Sequence, residues 1–133
     1  TKKADGVVGS RLVRGGGETG RNPIRTIITH MANLYLQMIL RFPVRDCTSG
    51  YRVFKRHVLE AIDWTRVRST GPAIVQEVLV AARAADASMA EVPIQFEERR
   101  AGESTFNSQI MVAGLIAPWR MLFSNPPVKE TVL

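Results

Sequence analysis

Seven consecutive residues, Asp46-Cys47-Thr48-Ser49-Gly50-Tyr51-Arg52, bring an acid, two hydroxyls, a glycine, an aromatic ring and a cation into one short stretch. Packing alone does not call for so many polar groups at the end of a long apolar segment. Two other loops carry related chemistry. Arg11, Arg14 and Arg21 frame Gly15-Gly16-Gly17 and Gly20, where a backbone without Cβ atoms could approach a ligand closely. Arg99, Gly102, Glu103 and Ser104 make a second basic, glycine-containing loop. Arginine offers a flat, permanently charged fork suited to phosphate or carboxylate. Together the three loops point to one site for an anionic ligand. By its glycines alone the first loop reads as a plain flexible connector, and no Gly-Lys-Ser/Thr follows that would make it a P-loop.

The elements that must position these loops can be read from periodicity. Gly6-Val7-Val8-Gly9 reads as a strand with Arg11 at its end, and the stretch from Arg14 to Arg21 as too glycine-rich for a regular element. Asn22-Pro23 is a helix-entry signal, and the helix runs from Ile24 to about Arg41. Thr26, His30, Asn33, Gln37 and Arg41 form its one polar stripe, so it is buried in a larger body or leans on a membrane or a partner. Arg25 and Thr29, four apart, share a face and could grip a phosphate together. His30 has no metal-ligand partner at helical spacing and reads as a surface or satisfied histidine.

Further on, a short strand is expected at Arg52-Val53-Phe54, a short helix from Arg56 to Trp64, and, after the capped start Ser69-Thr70-Gly71-Pro72, a second helix to about Ala85. Ile74, Val75, Val78, Leu79 and Ala82 give that second helix its apolar face. Glu77 is then either a solvated acid or one that points into the site. Ser88 to Glu98 alternates as one half-buried strand, at a sheet edge because Pro93 lacks a donor. A last helix spans Thr105 to about Phe123, with Pro118 expected to kink it, Trp119-Arg120 suited to a membrane interface or a core rim, and Asn125-Pro126-Pro127 ending the structure.

The 133 residues are enough for one domain with a real core, and 45 % apolar with 23 % charged residues is an ordinary globular balance. The net charge is +6, and 14 of the 18 cations are arginine, which favours an anionic partner over a merely solubilising surface. A lone Cys47 excludes an intramolecular disulfide framework. No run of about 18 apolar residues exists to span a bilayer. The start at Thr1, close to a strand, suggests a piece of a longer protein.

In chain order, Gly9-Ser10-Arg11, the Arg25/Thr29 pair, Ala32-Asn33, Asp46-x-Thr48-Ser49-Gly50-Tyr51-Arg52, Glu91-Val92-Pro93-Ile94 and Arg99-x-x-Gly102-Glu103-Ser104 resemble the motifs of polyprenyl-phosphate (dolichyl-phosphate) mannosyltransferases. The resemblance runs from about Asp5 to Pro118. It implies an α/β fold, part of the GT-A fold, with a mixed sheet flanked by helices. It also implies an inverting sugar transfer from a nucleotide sugar, typically GDP-mannose, to the phosphate of a membrane polyprenol, at the cytoplasmic face of a membrane. In that family an Asp-x-Asp motif holds a divalent metal, magnesium or manganese, with the nucleotide. This sequence contains no Asp-x-Asp, so residues 1–124 resemble the acceptor-side, C-terminal part of the catalytic domain, and 125–133 a tail. No metal ligands are expected in this chain. Such a piece should be inactive alone and should self-associate to cover its cut faces.

By the same resemblance Arg11 and Asp46 would be catalytic, and Arg25, Thr29 and Arg99 would bind the acceptor phosphate. Ser49, Arg52, Glu77 and Ser104 would line the site. Two departures stand out: Thr105 replaces a usual lysine, and Ile74-Val75-Gln76-Glu77 keeps only the acid of an aromatic-Gln-x-Glu motif. The alternative from composition is a basic phosphate- or nucleic-acid-binding module without catalysis. Its aromatic residues are scattered and no nucleic-acid motif is present, so a nucleic-acid partner is not expected.

Overall fold

A computed structural model describes residues 3–99 and 108–130. Strand β1 (Gly6–Ser10) leads through a tight loop to β2 (Gly17–Thr19) and then to helix α1 (Pro23–Leu40). Strand β3 (Arg52–Phe54), helix α2 (Arg56–Ala61), a single 3-10 turn at Gly71–Ala73 and helix α3 (Ile74–Ala84) follow. Strands β4 (Met89–Pro93) and β5 (Gln95–Glu97) and helix α4 (Ser108–Phe123) complete the order.

The fold is α/β, with a mixed sheet flanked by helices. Strand β1 is central in the order β3-β1-β4, antiparallel to β3 and parallel to β4. Strands β2 and β5 pair in parallel as a separate two-stranded sheet. Thus the single strand expected from Ser88 to Glu98 is two strands in two sheets, broken at Ile94, whose amide donates to the Ser10 carbonyl (3.0 Å). The glycine-rich loop also holds a strand that composition argued against. Its residues pair because Gly16 folds tightly under β1: a Cβ at Gly16 would lie 2.4 Å from the Ser10 carbonyl oxygen.

Helix α1 starts as expected, with Asn22 Oδ1 accepting from the Ile24 amide (2.9 Å) and Pro23 in the first turn. It ends at Arg41, whose left-handed backbone (φ 51°) turns the chain and sends its amide to the Gln37 carbonyl. Arg83 from α3 donates to the Leu40 and Arg41 carbonyls, which places a cation on the negative end of α1. Its guanidinium also lies 5.6 Å from the Phe42 ring.

The core gathers Val8 of β1, Leu36 and Leu40 of α1, Val44, Leu79 and Val80 of α3, and Met121 of α4. The inward face of α1 is Thr29, Asn33, Leu36 and Leu40, while Ile24, Ile27, Met31, Leu34 and Met38 face outward. On α3 the buried face is turned from the expected one, taking in Gln76 and Glu77 and leaving Ile74 exposed. Helix α2 closes at Ala61, short of Trp64. Beyond Asn125 the chain does not simply end: Val128 forms an antiparallel bridge with Ile62, and Lys129 N donates to Ala61 O (2.9 Å).

The glycine geometry gives a paired test. Gly16→Ala should lower stability by about 1–3 kcal/mol, because the colliding atom is backbone and cannot turn aside. A methyl group added at Gly50 would meet nothing within 4 Å, and Gly50 has no positive φ. Gly50→Ala should therefore be neutral or stabilise by about 0.5 kcal/mol. Denaturant midpoints of both variants check the contrast.

Candidate functional site

The end of β1 delivers Arg11 to the loop between α1 and β3. Its Nε and Nη2 donate to Asp46 Oδ2 and Oδ1 (both 2.8 Å), a two-pronged fork, and its backbone amide also reaches Oδ2 (3.0 Å). Nη2 further donates to Thr48 Oγ1 (2.8 Å), and Nη1 to Glu18 Oε1 (3.2 Å). Asp46 is fully buried, and the Arg11 side chain is 9 % exposed. Burial pushes the Asp46 carboxyl up, but the Arg11 fork and amide outweigh it and hold the group below the usual carboxylate range. Arg11 is raised in turn, first by its bond to Asp46.

The loop that carries Asp46 is tied down on every side. Asn33 Oδ1 accepts from the Cys47 and Thr48 amides (2.6 and 3.2 Å), while its Nδ2 donates to the Thr29 carbonyl and to Thr48 Oγ1 (3.0 and 3.2 Å). Glu91 of β4 accepts from the Asp46 amide (3.0 Å), and Gln37 Nε2 donates to Arg45 O (2.7 Å). Arg52 donates to the carbonyls of Ser49 (2.7 Å), Cys47 (2.6 Å) and Val75. Burial lowers the Arg52 pKa to about 10. The residue is a brace under the loop, with its charge directed at backbone. The Ser49 hydroxyl accepts from the Tyr51 amide (3.3 Å) and shapes the same turn.

At the rim, Glu18 of β2 joins Arg11 to Arg21 (2.5 Å) and to the Thr26 hydroxyl (2.9 Å). The Phe96 ring lies 5.7 Å from the Arg11 guanidinium and 5.6 Å from that of Arg21. Arg25 donates to Glu98 (2.5 Å) with its side chain 41 % exposed, and Arg99, the next residue after Glu98, is exposed.

The structure therefore joins Arg11 and Asp46 directly, sets Ser49 and Arg52 beneath them, and pairs Arg25 with Glu98, the residue before the exposed Arg99. Thr29 is buried rather than beside Arg25 at the surface. Glu77 belongs to a different cluster. It is buried, and its oxygens accept from the Arg68 and Ser69 amides (3.0 and 2.6 Å), so it is neither solvated nor bonded to the Asp46 loop. Ser104 lies outside the described residues.

Sequence reasoning missed Glu18, Glu98 and Phe96, and gave Asn33 no role. The one signal for Glu18 was its place as the lone acid between Arg14 and Arg21. Among the described residues no three His, Cys, Asp or Glu side chains converge as a metal site. The oxygens of Asp46, Glu18 and Glu98 face arginines, so these acids do not fit a divalent cation.

Two tests follow from this geometry. Asp46→Asn strands a buried guanidinium and should cost about 3 kcal/mol at neutral pH. Since the folded carboxyl sits below its unfolded value, its stabilisation is present above the usual range and is lost as acid titrates it. The gap between wild type and variant should close below about pH 4. Cys47 is fully buried, and burial lifts its thiol to about 12. It should resist alkylation in the native chain at neutral pH and react once unfolded, as mass spectrometry would read.

The chain matches no protein-family model. It does match named mannosyltransferases. The polyprenol monophosphomannose synthase of Mycolicibacterium smegmatis is 38 % identical over 101 residues, which is 76 % of this chain and 38 % of that protein. The undecaprenyl-phosphate mannosyltransferase of Micrococcus luteus is 33 % identical over 110 residues, 83 % of this chain and 45 % of that protein. The chain thus spans less than half the length of the curated relatives it matches. Over those matched residues, the chain belongs to the polyprenyl-phosphate mannosyltransferase family.

Proposed function

We propose that the protein carrying this chain transfers mannose from a nucleotide sugar, GDP-mannose, to the phosphate of a polyprenyl lipid, and that these residues form the acceptor side of the site. The observation that carries this reading is the pairing of a buried Arg11–Asp46 fork with a half-buried Arg25–Glu98 pair that adjoins the exposed Arg99 in the chain.

The nucleophile in such a transfer is a phosphate oxygen that is already anionic, so no strong general base is needed. The task left to the protein is to hold and orient the phosphate and to balance charge. Arg25 is exposed enough to exchange Glu98 for an incoming phosphate, and Arg99 can add a second fork. Arg11 uses four of its five N–H groups on Asp46, Glu18 and Thr48, which leaves one Nη1 hydrogen for the ligand. Asp46 acts in this reading through Arg11, as a positioning residue. In this reading the divalent metal and the donor nucleotide are held by parts of the protein outside this chain, and the 133-residue chain alone is expected to be inactive.

The acceptor chemistry suits a cytoplasmic membrane face. Among the described residues no helix is long and apolar enough to cross a bilayer. Yet α1 exposes Ile24, Ile27, Met31, Leu34 and Met38 at helical spacing, and α4 exposes Leu115 and Trp119. Neither helix contains an Asp or Glu, which favours apposition to an anionic lipid surface. Without lipid, the same stripes should drive self-association.

The test is turnover by the intact protein supplied with GDP-mannose, magnesium or manganese, and a short polyprenyl phosphate. Product is expected, and Arg25→Ala and Arg99→Ala should each lower turnover by roughly a hundredfold. Full turnover by Arg25→Ala would remove the acceptor-phosphate role. No product with any nucleotide sugar would remove the reaction.

A further inference from the structure

Arg21, which stands directly before the Asn22 cap of α1, is a largely buried cation that leaves most of its donors unused. Its side chain is 18 % exposed. Nη1 donates to Glu18 Oε1 (2.5 Å), the oxygen that also accepts from Arg11 Nη1 (3.2 Å), so two guanidiniums meet on one carboxylate oxygen. Among the described residues Arg21 makes no other hydrogen bond, and four of its five N–H groups stay free. Arg11 uses its Nε/Nη2 edge as a fork on Asp46, whereas Arg21 holds the same edge empty. A guanidinium that has lost much of its water without gaining partners is costly to keep. No buried side-chain nitrogen or oxygen among the described residues lacks a partner, so the free edge opens onto space that solvent reaches.

Several contacts fix where that edge lies. The Phe96 ring of β5 sits 5.6 Å from the Arg21 guanidinium and 5.7 Å from that of Arg11, so one ring backs both cations. Glu18 is anchored through its second oxygen, which accepts from the Thr26 hydroxyl (2.9 Å). Thr26 follows Arg25 in α1, and the Thr19 carbonyl, next to Glu18, accepts from the amide of Glu98, the partner of Arg25 (3.3 Å). The Arg11–Glu18–Arg21 group and the Arg25–Glu98 pair are thus tied to the same short strand and the same end of α1. An ordinary surface arginine has no such setting: Arg56 of α2 has its side chain 89 % exposed and faces Glu60 at 3.9 Å.

We propose that Arg21 is a further binding residue of the transfer site, which grips the acceptor phosphate through its empty Nε/Nη2 edge beside the free Nη1 hydrogen of Arg11. The assignment rests on the transfer reading above. Two parallel N–H groups on one planar edge match two oxygens of one phosphate. Arg21 keeps its bond to Glu18 while it does so, and the carboxylate offsets the repulsion between the adjacent guanidiniums. Glu18 and Phe96 hold the fork in place before the phosphate arrives, which lowers the ordering cost of binding. Arg25 differs in this respect, because it must first release Glu98.

The experiment is calorimetric titration of the intact protein with a short polyprenyl phosphate below its micelle-forming concentration, without nucleotide sugar, beside a denaturant midpoint for each variant. Arg21→Ala should weaken binding by about tenfold with its midpoint close to that of wild type. Arg21→Lys, which keeps the charge and loses the fork, should fall between the two. Arg56→Ala removes an equal charge from α2 and should bind as wild type does. Undiminished binding by Arg21→Ala would overturn the assignment. So would an equal loss in Arg56→Ala, which would reduce the effect to net charge. A loss of affinity that tracks a lowered midpoint, with Arg21→Lys no better than Arg21→Ala, would make the role structural. The two readings fail separately: binding that depends on Arg21 without any sugar transfer removes the reaction and leaves the ligand, whereas transfer with undiminished binding by Arg21→Ala does the reverse. No binding by the unaltered protein would overturn both.

Discussion

The structure depends on one buried ion pair. Asp46 has no contact with water, and Arg11 very little, so neither charge tolerates the loss of the other. Desolvating two ions is costly, and the pair is sustained only because the remaining donors are also satisfied. Thr48 and Glu18 complete Arg11, and the Arg11 amide adds a third bond to Asp46. The pair fixes the end of the central strand against the loop after α1. Asn33 then locks that loop to α1, Glu91 locks it to β4, and Arg52 locks it to α3. Four elements meet at one carboxylate and its loop. A polar centre of this kind is rigid because each group has one satisfied arrangement and few alternatives.

The charge balance has a spatial order that the net figure of +6 hides. Three arginines near the Asp46 loop are matched by acids, with Arg11 on Asp46 and Glu18, Arg21 on Glu18, and Arg25 on Glu98, while Arg52 is met by backbone carbonyls. The pairing is graded by exposure. Inner pairs are structural, since separating them would strand a buried charge, whereas the Arg25–Glu98 pair is only half-buried and so weaker and more exchangeable. The surplus of positive charge sits instead at residues such as Arg66, Arg68 and Arg99. In the proposed transfer, that gradient lets a phosphate recruit the outer cations without dismantling the inner ones.

Much of this was legible in the sequence where local chemistry and packing agree. Asn22-Pro23 names the start of α1, and the Val-rich run before Arg11 names β1. The dense stretch from Asp46 to Arg52 names the loop that the structure builds around. Legibility failed where a residue's role depends on a distant partner. Glu77 has the spacing of a solvated helix acid, yet two loop amides eight and nine residues before it require an acceptor there, and this turns the buried face of α3. Strand β2 is invisible to propensity because Gly16, just before it, is needed for closeness to Ser10, and its own Gly17 lies close against Gln95 of β5. The division of β4 from β5 follows from the Ile94 amide reaching Ser10, a bond that no alternation pattern encodes. The outward apolar stripe of α1 was readable as apolar, but only the buried Thr29 and Asn33 reveal which side the core takes.

Helix α4 is where these separate demands converge. One side of it, Ala117 and Met121, completes the core, and another, Leu115 and Trp119, meets Tyr35 of α1. A third, Val112 and Ile116, walls an apolar groove that ends at Arg120. The Trp119 indole donates to the Tyr35 hydroxyl (2.7 Å), which itself donates to the Leu115 carbonyl (2.8 Å), so α1 and α4 hold register through a polar chain set among apolar side chains. A purely hydrophobic seam would let the two helices slide, because apolar contact is non-directional. The hydrogen-bonded chain prevents that and fixes the outward stripe of α1 relative to the groove on α4. The cost of presenting so much apolar surface to water is then offset only when that surface is covered, which ties the stability of this face to whatever lies against it.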